Sequence, residues 1–196
     1  MCHFKVLSAL MALLCLYSCS DIKLAEQLDG SWQTSYEAYD DGLVEKITQT
    51  MTFHYDENSW EDDGTFTETL SGVIDDIDLE FVDGTFDCKY RSRITGRWSV
   101  DQGDLSLVYN ISTFEVEIDK NDVKINVNGY LSNADKRELK DELVRELQKN
   151  IQGELRNQYI ESNSDGGSFL NLKVSGNKMS FDSSDLGRME FKKISR

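Results

Sequence analysis

From Trp32 to Val127 apolar and polar side chains alternate in steps of two, the spacing of strands that bury one face. Trp32, Thr34, Tyr36 and Ala38 fall on one parity, and Asp40-Asp41-Gly42 reads as the turn that follows. Ile47, Met51, Phe53 and Tyr55 share the next parity, with Gln49 its one polar member, until Asp56-Glu57-Asn58 ends the run. A short strand is expected about Phe66 to Leu70, ended by Ser71-Gly72. Ile77, Leu79 and Phe81 then alternate up to a hairpin signal at Asp83-Gly84. The longest run follows, with Phe86, Cys88, Tyr90, Ile94, Trp98 and Val100 on one face. Gly96 shares that face, where a glycine predicts a bend or a close approach of another backbone. Gln102-Gly103-Asp104 turns into Leu105, Leu107 and Tyr109. Asn110 or its neighbours are expected to break that strand from Phe114, Val116 and Ile118, and Lys120-Asn121-Asp122 turns into Val123, Ile125 and Val127.

The period then changes. Ser132-Asn133-Ala134-Asp135 has the form of a capping box, and Leu139, Leu143, Leu147, Ile151 and Leu155 recur behind it every four residues, predicting a helix over about 133–160. A step of four overshoots the 3.6-residue turn, so the stripe drifts by ~40° per step and fits a curved support or a bend near Gly153. Alternation resumes with Leu170, Leu172 and Val174, turns at Ser175-Gly176-Asn177-Lys178 into Met179 and Phe181, and ends in a strand over 189–194. The chain contains no proline to demote a strand to an edge. These elements predict a mainly β fold: an antiparallel meander closing into a barrel of about eight to ten strands, with one late amphipathic helix.

The first residues have a different character. Residues 1–18 carry Lys5 near the start, an apolar stretch from Val6 to Leu16 and Ser18 directly before Cys19, which reads as a secretory signal too short to span a bilayer. Leu16-Tyr17-Ser18-Cys19 resembles the lipobox of bacterial lipoproteins, with Tyr17 a departure from the small residue usual there. That resemblance implies an acylated Cys19, palmitate among its chains, a tether over 19–27 and attachment to the cell outer membrane. Leu28-Asp29-Gly30-Ser31-Trp32 opens the first strand and is echoed at Gly96-Arg97-Trp98. Gly-x-Trp in this position resembles the lipocalin-like (calycin-type) domains of cell-envelope lipoproteins, and the likeness covers 28–196. It implies that Gly30 and Trp32 close one end of the barrel, with a basic side chain of the last strand, Arg188, against the indole. In lipocalins the helix generally follows the closed barrel, whereas here about three strands come after it.

Of the 4 cysteines, Cys2 and Cys15 lie in the leader, so with Cys19 lipidated Cys88 stands alone and no intramolecular disulfide is expected. The chain carries 21 Lys+Arg against 36 Asp+Glu, a net −15. Loss of the leader removes one cation, Lys5, and no acid, leaving 20 against 36, or −16. A field of that sign repels nucleic acid and anionic headgroups, so membrane attachment would rest on acyl chains.

Little in the sequence carries chemistry. His54 lies between Phe53 and Tyr55 on the outward parity. Cys88 lies on the inward one, where a thiol behaves as a small hydrophobe. The acidic clusters Glu61-Asp62-Asp63, Asp75-Asp76-Ile77-Asp78 and 182–185 lack the spacing of a calcium loop. There is no phosphate-cradling loop, nucleophile elbow or zinc ligand set, so no cofactor, metal or enzymatic activity is expected. Two functions fit. In one, the barrel binds a small apolar or amphipathic ligand facing Tyr36, Phe53, Tyr55, Phe86, Tyr90 and Trp98. In the other, a filled barrel with no ligand contacts another envelope protein through its helix, loops or outer face.

Overall fold

The computed structural model describes residues 20–40, 43–59, 62–78, 83–127, 131–164, 167–184 and 186–194. The expected leader and Cys19 lie outside them, as do Leu79 and Phe81 of one expected alternation. A short helix α1 (20–28) leads into β1 (Gly30–Asp40), β2 (Leu43–Tyr55), β3 (Gly64–Asp78), β4 (Gly84–Asp101) and β5 (Asp104–Glu117). A 3₁₀ turn at Lys120–Asp122 and the short β6 (Lys124–Val127) precede helix α2 (Asn133–Ser164). The chain finishes with β7 (Ser168–Ser175), β8 (Lys178–Ser183) and β9 (Gly187–Ile194).

Every pairing is antiparallel. The order β1-β2-β3-β4-β5-β7-β8-β9 returns to β1, closing an eight-stranded barrel compatible with a lipocalin-like fold, and β6 adds a short pairing to the start of β4. The inward parity is the one written in the sequence. On β4 the even positions from Phe86 to Val100 are buried while Arg91, Arg93 and Arg97 face out.

Two expected breaks are absent, each for a local reason. Ser71-Gly72 does not end a strand: β3 runs through it, and Gly72 makes room for the Tyr90 ring, whose Cε1 would stand 2.1 Å from an added Cβ. Asn110 does not split β5; it starts a bulge, seen as a register shift opposite Arg93 and Thr95. There the Asn110 Oδ1 accepts hydrogen bonds from the Ser112 N–H and hydroxyl, and Thr113 donates to the Asn110 carbonyl. These local bonds absorb the extra residues so that Phe114 and Val116 return to the inner side.

The barrel is closed at one end and high-walled at the other. At the closed end the segment expected to be a tether is helical: α1 buries Ala25 and Leu28 completely, and Asp21 accepts from the N–H groups of Gln102 and Gly103 in the β4–β5 turn. Trp32, also fully buried, donates its indole N–H to the Leu28 carbonyl at 2.7 Å. Gly30, at φ +117, sits where an added Cβ would meet the Lys193 side chain at 2.8 Å. The cation over the Trp32 ring is Lys193, 4.9 Å from its centroid and bonded to the Asp29 carbonyl, and not Arg188. Arg188 is the second residue of β9, at the far end of that strand, exposed, where it meets Ser180, Asp182 and Glu190. Lys193 pairs directly with Trp32 in the β1–β9 register, which is why it is the side chain that reaches the indole.

Strands β2 to β5 are 13 to 18 residues long, whereas β7 to β9 have 6 to 8, so one wall rises above the other. β5 pairs with β7 only at Leu105 and Ser106, leaving the rest of that edge open. Helix α2 covers it. The Asn163 amide accepts from the Tyr109 N–H and donates to the Tyr109 carbonyl, both at 2.8 Å, imitating a strand partner; Gln148 donates to the Val116 carbonyl. Ser132 caps the helix: its hydroxyl accepts from the Asp135 N–H, as the sequence predicts, and donates to the Asp135 carboxylate. The expected stripe does face the barrel, with Ile151 buried and Leu143, Leu147 and Leu155 packed against the core, and Val144 and Tyr159 widen that contact face to either side of it.

Because Asn163 alone satisfies two backbone groups on a buried edge, Asn163→Ala should cost about 1–3 kcal/mol. Amide exchange at Tyr109 should accelerate in the variant; unchanged protection there would mean that α2 does not seal the edge.

Candidate functional site

At the closed end the interior is filled. Phe53, Phe66, Trp98, Leu105, Leu107 and Phe191 are all at most 1% exposed, and the Phe53 and Trp98 rings meet edge to face at 5.5 Å. Gly96 admits this packing, since an added Cβ would stand 2.5 Å from the Phe66 ring. Three of the six expected ligand-facing residues belong here. Phe53 and Trp98 are core, and Tyr55 packs at the rim of that end, its ring 6.5 Å from Trp98 and its N–H bonded to Asp29.

Towards the tall wall the inward side chains become polar. Glu68 of β3, flanked on its parity by Phe66 and Leu70, is 3% exposed. Its Oε1 accepts from Gln49 Nε2 and from the Tyr159 hydroxyl of α2, both at 3.2 Å, and its Oε2 accepts from the Tyr109 hydroxyl at 3.1 Å. The Tyr109 and Tyr159 rings lie 4.7 Å apart, and Phe114 closes on Tyr159 at 5.4 Å. Burial pushes the Glu68 carboxyl above its ordinary value, against the pull of those three hydrogen bonds. The same burial, reinforced by the Glu68 charge, pushes both phenols up.

Beyond Glu68, nearer the mouth, lie Tyr36, Glu45 and Tyr90. Burial, then the charges of Glu68 and Glu45, push the Tyr36 phenol up to about 12. Glu45 is raised chiefly by burial and further by the charge of Glu154 of α2, with the neighbouring Tyr90 hydroxyl acting in the opposite sense. Its Oε1 is nevertheless sealed from solvent with no hydrogen-bond partner. So is the hydroxyl of Ser92, a residue 1% exposed that pairs with Leu70, the neighbour of Glu68 on that parity. Unsatisfied buried polar atoms cost about 1–3 kcal/mol each, so two on one inner face mark a place built for something other than packing.

Tyr36 and Tyr90 are therefore the two expected ligand-facing residues that line the polar end. Phe86 lies in the apolar cluster of Cys88, Val116, Ile118, Val144 and Ile151 beneath α2. Cys88 is fully buried, and burial raises its thiol to about 11, so it is not poised as a thiolate. His54 is exposed. Glu45, Glu68 and Ser92 were not singled out from the sequence, yet each occupies an inward parity position, and a carboxylate between Phe66 and Leu70 is the signal that could have found the cluster. Tyr159 had no such signal, because its role depends on where α2 comes to rest.

A groove of about 850 Å³ runs along one flank of α2, lined by Lys120, Asp141, Arg145, Gln148, Lys149 and Arg156 among others. Lys120 and Asp141 are paired there at 2.6 Å, and Arg145 reaches Glu142 and Glu146. Among the described residues no group of three His, Cys, Asp or Glu side chains could hold a metal ion, and no helix is long and apolar enough to cross a membrane. No protein-family model and no curated protein matches this chain.

Proposed function

We propose that this chain is a non-enzymatic binding protein of the cell envelope, anchored to the outer membrane by acyl chains on Cys19, whose barrel takes a small amphipathic ligand at its helix-covered mouth. The observation that carries the reading is the pair of buried, unpartnered polar atoms, Glu45 Oε1 and Ser92 Oγ, on the inner face of a barrel whose other end is packed shut. A ligand there would be held by its polar part, since aromatic core already occupies the depth that a long apolar chain would need.

The anchor and the mouth fit one orientation. Residue 20 already belongs to α1, and Asp21 pins that helix to the closed end, so a lipid on Cys19 would set the closed end towards the membrane and the mouth away from it. Cys19→Ala should release the protein from membranes or stall its processing, read by fractionation; a variant that sediments with membranes like the parent would overturn the anchor. Binding is read by thermal melting against a panel of small amphiphiles, where a hundredfold excess over the dissociation constant adds about 2.7 kcal/mol. A melting point indifferent to the whole panel would sink the mouth as a binding site.

A second reading has its own observation, the groove along α2. An envelope protein docking there would be lost when Arg137, Asp141 and Arg145 are replaced together, with the barrel's melting point unchanged.

A further inference from the structure

We propose that the mouth of this barrel selects organic cations: its ligand carries an ammonium group that seats among Tyr36, Glu45 and Tyr90, within reach of Glu154. This deepens the binding reading above and rests on it.

The argument starts from an imbalance. Glu68 is buried inside the barrel, Glu45 is half-buried at its mouth, and the charge of Glu154, exposed on the helix, acts on Glu45. The groups acting on them are tyrosines, a glutamine and other acids; no lysine or arginine is among them. Buried carboxylates are normally retained with a counter-cation, because an uncompensated charge in a low-dielectric interior is expensive. Glu68 is at least fully hydrogen-bonded, and its bonds to Tyr109 and Tyr159 give it a structural task in holding α2. Glu45 has no such closure. It lies near the rim on β2, opposite Ile74 in the β2–β3 register, and its Oε1 is buried without a partner. Ser92 supplies the independent sign of an unfilled place: a hydroxyl 99% shielded, on the same inner face, with nothing to bond.

The chemistry these groups recognise is specific. A carboxylate oxygen lacking a donor wants N–H or a positive charge, and phenol rings offer negative faces to a cation. Gly72 contributes by leaving the ring of Tyr90 and Glu45 Oε1 in the space a side chain would take. An anionic headgroup would meet up to three carboxylates and no cation. A neutral alcohol could satisfy Glu45 by one hydrogen bond but would leave its charge uncompensated. Outside the barrel the acidic surface acts in the same sense, concentrating cations from a distance.

The test is calorimetric titration of the purified full-length chain at a pH above the carboxyl range with three probes of one chain length, hexyltrimethylammonium, 1-hexanol and hexanoate, all far below micelle-forming concentration. The cation should bind at least tenfold more tightly than the alcohol, and hexanoate weakest of all. Glu45→Gln should bring cation and alcohol to within about threefold of each other without lowering the melting temperature. Equal binding of the three probes would overturn the charge selectivity while leaving the mouth as a binding site. So would a cation preference that survives both Glu45→Gln and Glu154→Gln. Failure of every probe to bind the parent would remove the binding reading with it.

Discussion

Trp32→Ala is expected to destabilise the barrel by about 3–5 kcal/mol, the range of large aromatic truncations in cores. The indole is fully buried, so its loss opens a cavity that Leu28, Met51 and Phe53 cannot refill without moving strands already fixed in register. It also frees two partners. The Leu28 carbonyl loses its donor, and Lys193 loses the ring beneath its ammonium group, keeping only the Asp29 carbonyl. Because those contacts join α1, β1 and β9, the closed end should loosen as a unit. Amide exchange in 20–28 and 190–194 should rise together, and a denaturant-measured loss below about 1 kcal/mol would show that the indole does not close the barrel.

Glu68 is expected to make stability depend on pH in the direction opposite to that of an ion-paired carboxylate. Its carboxyl is raised in the fold from an ordinary 4.5, burial being the largest cause. The folded state therefore holds the proton to higher pH than the unfolded chain. The stability so conferred is complete below about 4.5 and is lost as pH climbs through the folded value, at roughly 1.4 kcal/mol per unit of displacement. Glu68→Gln keeps a group that can bond Gln49, Tyr109 and Tyr159 but carries no charge, so its stability relative to the parent should rise between about pH 4 and pH 8. Glu68→Ala strands two phenols and an amide in the interior and should lose about 3 kcal/mol or more at every pH. Urea melts of the three proteins at both pH values decide the matter. Parallel pH slopes for parent and Glu68→Gln would mean that the buried carboxyl is not the titrating group.

The barrel was legible because its information is local. Period-two runs with short polar turns leave little choice but an antiparallel meander, and once Trp32, Met51, Phe53, Phe86 and Trp98 are assigned an inward parity the core follows. Where the reading failed, another part of the molecule had overridden a local signal. Ser71-Gly72 looks like a turn, but Tyr90 needs the space that Gly72 leaves; Asn110 looks like a break, but its side chain bonds turn it into a bulge.

The sequence by itself determined the strand faces, the late helix and the acidity of the whole, because each depends on spacing or composition within a few residues. Tertiary structure alone decided that Lys193 and not Arg188 covers the indole, since that follows from the β1–β9 register. It decided that 20–28 folds onto the barrel's end, and that Gln49, Glu68, Tyr109 and Tyr159 meet in one hydrogen-bonded cluster although they are up to 110 positions apart. Such a cluster exists only after the barrel has closed and α2 has filled the open β5 edge, and no pattern along the chain encodes the meeting of residues so far separated.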